Sequence, residues 1–127
     1  MIKNLQNLHT HTTFCDGADT AEEMVCAAIE KGFSSLGFSG HSYMSYSPFY
    51  FQKGDKTLEY KKEISRLREK YKDTLQIFLG LEVDMYSAPD MTGFDYLIGS
   101  FHYFDIGGEY VAFDRNLDVV KNVINEY

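Results

Sequence analysis

The feature that most constrains the fold is an alternation of short apolar segments with amphipathic ones along all 127 residues. Short runs of apolar and β-branched residues are typical of strands, whereas apolar residues spaced three or four apart indicate helices. Predicted strands end at Leu8 and cover residues 36–39, 75–83, 96–100 and, with a weaker pattern, 110–113. Strands that alternate with helices favour an α/β fold with a mainly parallel sheet.

Three helices are predicted between and after these strands. Thr20 and Glu23 belong to a capping-box sequence that opens the first helix, and Gly32 ends it. The other two are indicated by apolar stripes, formed by Tyr60, Ile64, Leu67 and Tyr71 and by Leu117, Val120 and Ile124. A chain of this length is expected to form a single domain, residues 1–127.

Acidic residues outnumber basic ones, 19 to 12, and give the chain a formal net charge of −7. Nucleic acids and anionic membranes attract basic surfaces, so neither is expected as a partner. The basic residues between positions 61 and 72 alternate with glutamates, which indicates a solvated helix face. No apolar run approaches the roughly 20 residues of a membrane span and no signal peptide is evident, so we expect a cytoplasmic protein. Cys15 and Cys26 lack C-x-x-C spacing and are expected to be reduced thiols.

Histidines and acids occupy positions at or just after the ends of the predicted strands. In a parallel sheet the carboxyl ends of the strands lie along one edge, where loops converge and ligands bind. We therefore expect a single site formed by six residues: His9, His11, Asp16, His41, Glu82 and His102.

The donor atoms of these residues indicate a metal site. Imidazole and carboxylate together suit zinc, iron or manganese. The rings of His9 and His11 lie on one side of an extended segment and can chelate one ion. Glu82 has two oxygens and could bridge two ions, while Asp16 and His41 could hold another. Divalent ions would also let this acidic chain bind a phosphate ester, because they supply the positive charge that its side chains lack.

Other interpretations of individual residues stay open. A single histidine is more often a structural residue than a ligand, and Asp16 with Gly17 could form an ordinary turn. Asp84 could support a metal ligand or be merely an acid at the end of a strand. The aromatic segment from Tyr43 to Phe51 could be a substrate lid or a packed cover.

Two glycine-containing stretches do not complete the motifs that they approach. The stretch from Gly37 to His41 has histidine where a nucleophile elbow needs its last glycine, so Ser39 is not expected to be a nucleophile. Gly107 and Gly108 lack the rest of a dinucleotide-binding motif and predict a hairpin turn.

Five short motifs resemble, in order, those of the PHP family, whose name covers polymerase-associated and histidinol-phosphatase domains. They are Leu8-His9-Thr10-His11-Thr12, Phe14-Cys15-Asp16-Gly17, Gly40-His41-Ser42, Gly80-Leu81-Glu82 and Gly99-Ser100-Phe101-His102-Tyr103. The motifs extend over nearly the whole chain and are most similar to those of the histidinol-phosphatase branch, which acts in histidine biosynthesis.

The resemblance implies a distorted βα barrel with two or three divalent ions, zinc, manganese or iron, at the carboxyl ends of its strands. The ligand sets that it implies are His9, His11 and Glu82 for one ion, Glu82 and His102 for a second, and Asp16 and His41 for a third. Glu82 and His102 are the implied catalytic residues. The family's later histidines have no counterpart, since no histidine follows His102. A complete barrel of this type takes ~250 residues, so the chain is expected to form about half of one.

Three functions are compatible with these residues. The first is a metal-dependent phosphomonoesterase that acts on a small phosphorylated substrate, converting L-histidinol phosphate and water to L-histidinol and phosphate. The second is a catalytically inactive, truncated module for metal binding or assembly. The third, a PHP exonuclease, is disfavoured by the acidic charge. Half a barrel leaves a strand edge and an apolar face uncovered, which predicts either truncation or association with a second copy or another chain.

Overall fold

A computed structural model of the protein describes residues 4–47, 56–113 and 117–126. Four strands form one parallel sheet in sequence order, and they are β1 (Leu5–Asn7), β2 (Phe33–His41), β3 (Gln76–Asp84) and β4 (Tyr96–Ser100). Three helices accompany it, α1 (Ala21–Glu30), α2 (Thr57–Lys70) and α3 (Leu117–Glu126). The predicted α/β fold with a mainly parallel sheet is confirmed.

Helix α1 begins and ends as its sequence predicts. The Oγ1 of Thr20 accepts a hydrogen bond from the backbone N–H of Glu23 at 3.3 Å, and the Glu23 carboxylate accepts one from the backbone N–H of Thr20 at 2.9 Å. Gly32 follows the helix with a φ of 75°, a conformation that favours glycine. The predicted capping box is therefore confirmed.

The hydrophobic core lies between α1, α2 and one face of the sheet. It contains apolar residues from two helices and the two central strands: Val25 of α1, Tyr60, Ile64 and Leu67 of α2, Leu36 and Phe38 of β2, and Ile77 and Leu79 of β3. Strand β3 is almost continuously buried, as its apolar sequence predicts. Since the helices cover this face, the carboxyl ends of β2 and β3 are held on a rigid platform.

Tyr60 ties α2 to the two central strands close to their carboxyl ends. Its side chain is fully buried, its hydroxyl donates to the carbonyl of Gly80 at 2.9 Å, and it accepts from the backbone N–H of Gly40 at 3.2 Å. Burial raises the pKa of Tyr60, so this hydroxyl keeps its proton. The two strands are thus fixed one residue before His41 and two before Glu82.

Tyr96 crosses the opposite face of the sheet. A Cβ atom added at Gly80 would lie 2.3 Å from the Tyr96 ring, so only glycine leaves room for this ring. The Tyr96 hydroxyl donates to the carbonyl of Leu8 at 2.6 Å. Strand β4 is thereby connected to the segment that follows β1.

The segment after β4 forms a separate antiparallel hairpin of β5 (Tyr103–Ile106) and β6 (Glu109–Ala112). Gly107 and Gly108 have φ values of 64° and 92°, as a two-residue hairpin turn requires. The predicted turn is confirmed, whereas β5 was not predicted. Strand β6 overlaps the predicted strand 110–113 but lies outside the parallel sheet.

Ion pairs cover the exposed face of α2. Glu22 of α1 accepts from Arg66 at 2.7 Å and from Lys70 at 2.5 Å, and Lys72 pairs with Glu69 at 2.6 Å. Because these basic side chains are each about half exposed, the predicted solvated helix face is confirmed. Cys15 and Cys26 are free thiols. Among the helices of the described residues, none has the length and apolar character needed to cross a membrane.

We expect Tyr60→Phe to lower the free energy of unfolding by about 1 to 3 kcal/mol, because it leaves the buried N–H of Gly40 without its acceptor. Urea denaturation measures this change. Tyr43→Phe, which alters a side chain 36% exposed, is the matched control and should change stability little. Equal effects of the two substitutions would contradict the role given to the Tyr60 hydroxyl.

Candidate metal centre

The strand ends bring the six predicted site residues to one edge of the sheet. His41 is the last residue of β2 and lies directly opposite Glu82 in the parallel register of β3. His9 and His11 follow β1, and His102 follows β4. Because all these strands run in the same direction, their carboxyl ends share this edge.

The carboxylate of Glu82 is the centre of the cluster and is only 4% exposed. Its Oε2 lies 3.0 Å from Nε2 of His9 and 3.1 Å from Nε2 of His11. The same oxygen is 3.6 Å from Nδ1 of His41, and Oε1 is 3.5 Å from Nε2 of His102. All four histidines of the chain therefore surround one buried carboxylate.

Asp16 lies on the outer side of the same cluster. Its Oδ1 is 3.5 Å from Nδ1 of His11 and 3.4 Å from Nε2 of His41. The turn that presents Asp16 is closed by the carbonyl of Thr12, which accepts from the N–H groups of Cys15 and Gly17 at 2.9 and 3.0 Å. A Cβ atom added at Gly17 would lie 2.5 Å from the His11–Thr12 peptide, so glycine permits this close approach. Asp16 does lie in a turn, as its alternative interpretation proposed, and the turn places it against two histidines.

The segment that carries His9 and His11 is anchored through the residue between them. The Oγ1 of Thr10 donates to the carbonyl of Gly37 at 2.7 Å, and its backbone N–H donates to Oγ of Ser39 at 3.1 Å. Because Thr10 points into the sheet, the two neighbouring imidazoles point away from it and share one side. The Ser39 hydroxyl is fully buried against Thr10, which agrees with its exclusion as a nucleophile.

Three overlapping trios of these residues have ligand atoms within 4.8 Å of one another. The trios are His9, His11 and Glu82; His11, Asp16 and His41; and His41, Glu82 and His102. Each combines imidazole nitrogen with carboxylate oxygen, which is the donor chemistry that zinc, manganese and iron accept. The side chains therefore fit divalent metal ions.

The charges of the cluster shift the pKa values of its members. Burial by itself would raise the pKa of Glu82, but the hydrogen bonds from His11 and His9 outweigh that effect and lower the pKa to about 2. A hydrogen bond from His41 holds the pKa of Asp16 at about 2. Burial lowers the pKa of His11, yet hydrogen bonds to Cys15 and Glu82 and the charge of Asp16 raise it to about 10. Without metal, the cluster thus holds protons that a bound cation would displace.

The structure adds two contacts to this site. The Sγ of Cys15 lies 3.6 Å from Nδ1 of His11. Asp84, for which two roles stayed open, is 1% exposed and contacts the ring of His102 at 3.1 Å. The signal for Asp84 is its spacing of two residues from Glu82, which places both on the same face of β3.

A cavity of about 470 Å³ is lined by the segments that follow β2 and β3 and by the first turns of α2, and Tyr43, Tyr46, Lys61 and Tyr86 are among its lining residues. None of the six predicted site residues lines it. The predicted lid or cover extends from Tyr43 to Phe51, and its residues 48–51 lie outside the described residues. Both interpretations of that segment stay predictions.

Comparison with known proteins identifies relatives of this chain. The sequence profile of the PHP domain matches residues 7–127. The protein named probable histidinol-phosphatase in Deinococcus radiodurans is 33% identical over 126 residues, covering 87% of this chain and 48% of that protein. The chain thus spans about half the length of this curated relative.

Two crystal structures are similar to the fold. One, from Listeria monocytogenes, matches with a TM-score of 0.74 at 23% identity over 90% of this chain and 51% of that chain, a likeness in fold alone. The other is histidinol phosphate phosphatase from Lactococcus lactis, complexed with zinc, L-histidinol and phosphate. It matches with a TM-score of 0.66 at 26% identity and covers 84% of this chain and 42% of that chain.

We expect the free energy of unfolding of the metal-free chain to be largest between about pH 4.5 and pH 6.5, the ordinary pKa values of glutamate and histidine. The pKa values of Glu82 and Asp16 are lowered by folding, so their contribution to stability is lost as the pH falls toward about 2. The pKa of His11 is raised, so its contribution is lost as the pH rises toward about 10.

Urea denaturation in a metal chelator, repeated across this pH range, measures the profile. Glu82→Gln should reduce the acidic slope, whereas Glu30→Gln, at the exposed end of α1, should leave it unchanged. An acidic slope that is the same with and without the Glu82 carboxylate would contradict the assignment.

Proposed function

We propose that this chain, which belongs to the PHP domain family, carries the metal centre of a histidinol-phosphatase-like phosphomonoesterase. Its parallel sheet and helices form part of the βα barrel of that family. The proposed reaction converts L-histidinol phosphate and water to L-histidinol and phosphate, a step of histidine biosynthesis. The names of its relatives and the zinc, L-histidinol and phosphate bound by the Lactococcus lactis protein support this substrate.

The observation that carries the proposal is the position of Glu82. One buried carboxylate lies within 3.6 Å of a ring nitrogen of each of the four histidines. A buried carboxylate is costly unless cations or donors surround it. Four imidazoles that share it, at the ligand-binding edge of a parallel sheet, are more than a structural carboxylate requires.

The ligand sets follow the three trios. His9, His11 and Glu82 would hold one ion, and Glu82 together with His102 would hold a second. Asp16 and His41, with His11 between them, would hold the third. Two or three ions of zinc, manganese or iron can be assigned in this way, because neighbouring trios share His11, His41 and Glu82.

Divalent ions explain how an acidic site could hold a phosphate ester. The chain has a formal net charge of −7, and the cluster itself contributes two carboxylates. Bound ions would supply the positive charge that neutralises the phosphoryl oxygens and would activate water for attack on phosphorus. Glu82 and His102 are the proposed catalytic residues, because Glu82 orients ligands of two trios and His102 faces it at 3.5 Å.

The edge of the sheet at β4 supports a contribution from further polypeptide. Among the described residues, β4 pairs with β3 alone, and its Leu97 is 46% exposed. Phe101, directly after β4, is 42% exposed. A second copy of the chain or another segment that pairs here would cover this apolar edge. Because the chain spans about half the length of its relative, catalysis is proposed for the covered form.

The second candidate function is a metal-binding module without turnover. It is the function that remains if catalysis needs residues from the part of the relative's length, about half, that this chain does not match. This module would bind the same ions through the same side chains. The PHP exonuclease is less favoured, since the chain has a formal net charge of −7 and Arg66 and Lys70 of α2 are paired with Glu22. The cytoplasmic location stays a prediction.

We expect the purified chain to bind zinc or manganese and Glu82→Gln to weaken that binding by ~100-fold or more, since losing a ligand costs at least as much as losing one of its supporting contacts. Equilibrium dialysis with metal analysis measures this, and bound metal should also raise the melting temperature. Glu30→Gln makes the same chemical change at an exposed position and should bind metal as the unmodified chain does.

Release of phosphate from L-histidinol phosphate, measured on the same samples, separates the two candidate functions. Metal binding with turnover that His9→Ala abolishes supports the phosphatase. Metal binding without turnover supports the module as the function of the chain by itself. A chain that binds neither zinc nor manganese would exclude both.

A further inference from the structure

We propose that Asp84 is a positioning residue that fixes the ring of His102 toward the metal centre, an inference that rests on the proposed function and adds a residue to it. The Oδ2 of Asp84 lies 3.1 Å from Nδ1 of His102 and accepts a hydrogen bond from the backbone N–H of His102 at 3.2 Å. One carboxylate oxygen therefore holds both the ring and the main chain of His102.

This contact determines which ring nitrogen is available for metal. A carboxylate accepts hydrogen bonds and does not donate them, so the neighbouring Nδ1 carries the proton. The other nitrogen, Nε2, then presents its lone pair toward Glu82, whose Oε1 is 3.5 Å away. Histidines that bind metal commonly donate their second N–H to a carboxylate, which fixes the ring and raises its basicity.

Asp84 is itself held in place by its surroundings. The side chain is 1% exposed, and its Oδ1 accepts from the backbone N–H of Tyr86 at 3.1 Å and lies 3.4 Å from the Tyr46 hydroxyl. The Tyr46 ring stacks on Tyr110 at 3.9 Å and meets Tyr103 edge to face at 5.4 Å. The hairpin of β5 and β6 thus packs against the residue that contacts Asp84.

The two oxygens of Asp84 separate two functions of the side chain. Oδ1 stabilises the turn after β3 through Tyr86, a structural role that any acid at a strand end could have. Oδ2 serves His102, which lies 18 residues away in the sequence. A purely structural Asp84 would affect the stability of the turn, whereas a positioning Asp84 also affects metal affinity.

The test is a zinc titration of the full 127-residue chain against a chromophoric chelator. His102→Ala first identifies the binding step that depends on His102. Asp84→Asn should weaken that same step by ~10- to 100-fold, the usual effect of removing the carboxylate partner of a metal-binding histidine.

Asp95→Asn is the matched control. Asp95 also accepts from a backbone N–H of β3, that of Leu79 at 2.7 Å, but it has no contact with the site among the described residues. Asp95→Asn should lower the stability of the chain while changing its zinc affinity by less than about threefold, which is small compared with the expected effect of Asp84→Asn.

A second measurement needs no variant at Asp84 and therefore stands even if Asp84→Asn does not fold. In the zinc-loaded chain with ¹⁵N-labelled histidine, the His102 resonances, assigned with His102→Ala, should show a proton on Nδ1 and zinc on Nε2. Zinc on Nδ1 would overturn the inference.

The results distinguish this inference from the proposed function. If the chain binds zinc and Asp84→Asn binds it equally well, the positioning role is wrong and the metal centre stands. If the unmodified chain binds no zinc, the positioning role is overturned, and if it binds neither zinc nor manganese, the metal centre is wrong as well.

Discussion

The burial of the Glu82 carboxylate is the constraint on which the site depends. At 4% exposure it has little water, so its charge must be balanced by the four histidines around it. Those histidines come from three different segments, and their approach requires the register that sets His41 opposite Glu82. Tyr60 secures this register from the helical face of the sheet, and Tyr96 secures it from the other face. The site therefore depends directly on the fold, because β2 and β3 supply core residues and also carry His41 and Glu82.

The two faces of the sheet have different functions. The face under α1 and α2 supplies the apolar core and most of the buried residues. On the other face Gly80 has no side chain, so that Tyr96 can cross this face and reach the segment that leads to His9. The edge at β4, with Leu97 exposed, is the open side of a partial barrel. What covers this edge decides whether the proposed metal centre belongs to a complete active site.

The acidic residues of the chain have different partners on α2 and at the strand ends. On α2, acids and bases pair on the surface, where each pair contributes little to stability. At the strand ends the acids have histidine partners, which can release their protons to make room for cations. Asp84 extends this arrangement by one step, since it contacts a histidine and lies beneath a group of tyrosines.

The sequence by itself determined the properties that depend on neighbouring residues. The capping box of α1, the Gly107–Gly108 turn and the alternation of strands with helices are local patterns, and each sets backbone conformation directly. The same alternation predicted that six residues would converge at one sheet edge, where the structure places them, although their role as ligands stays a prediction. Tertiary structure alone decided that β5 and β6 form a separate hairpin, that Cys15 meets His11, and which oxygen of Asp84 holds His102. The periodicity of a sequence carries no information about the distance between two particular side chains, whether they are four residues apart, as Cys15 and His11 are, or 18 residues apart, as Asp84 and His102 are.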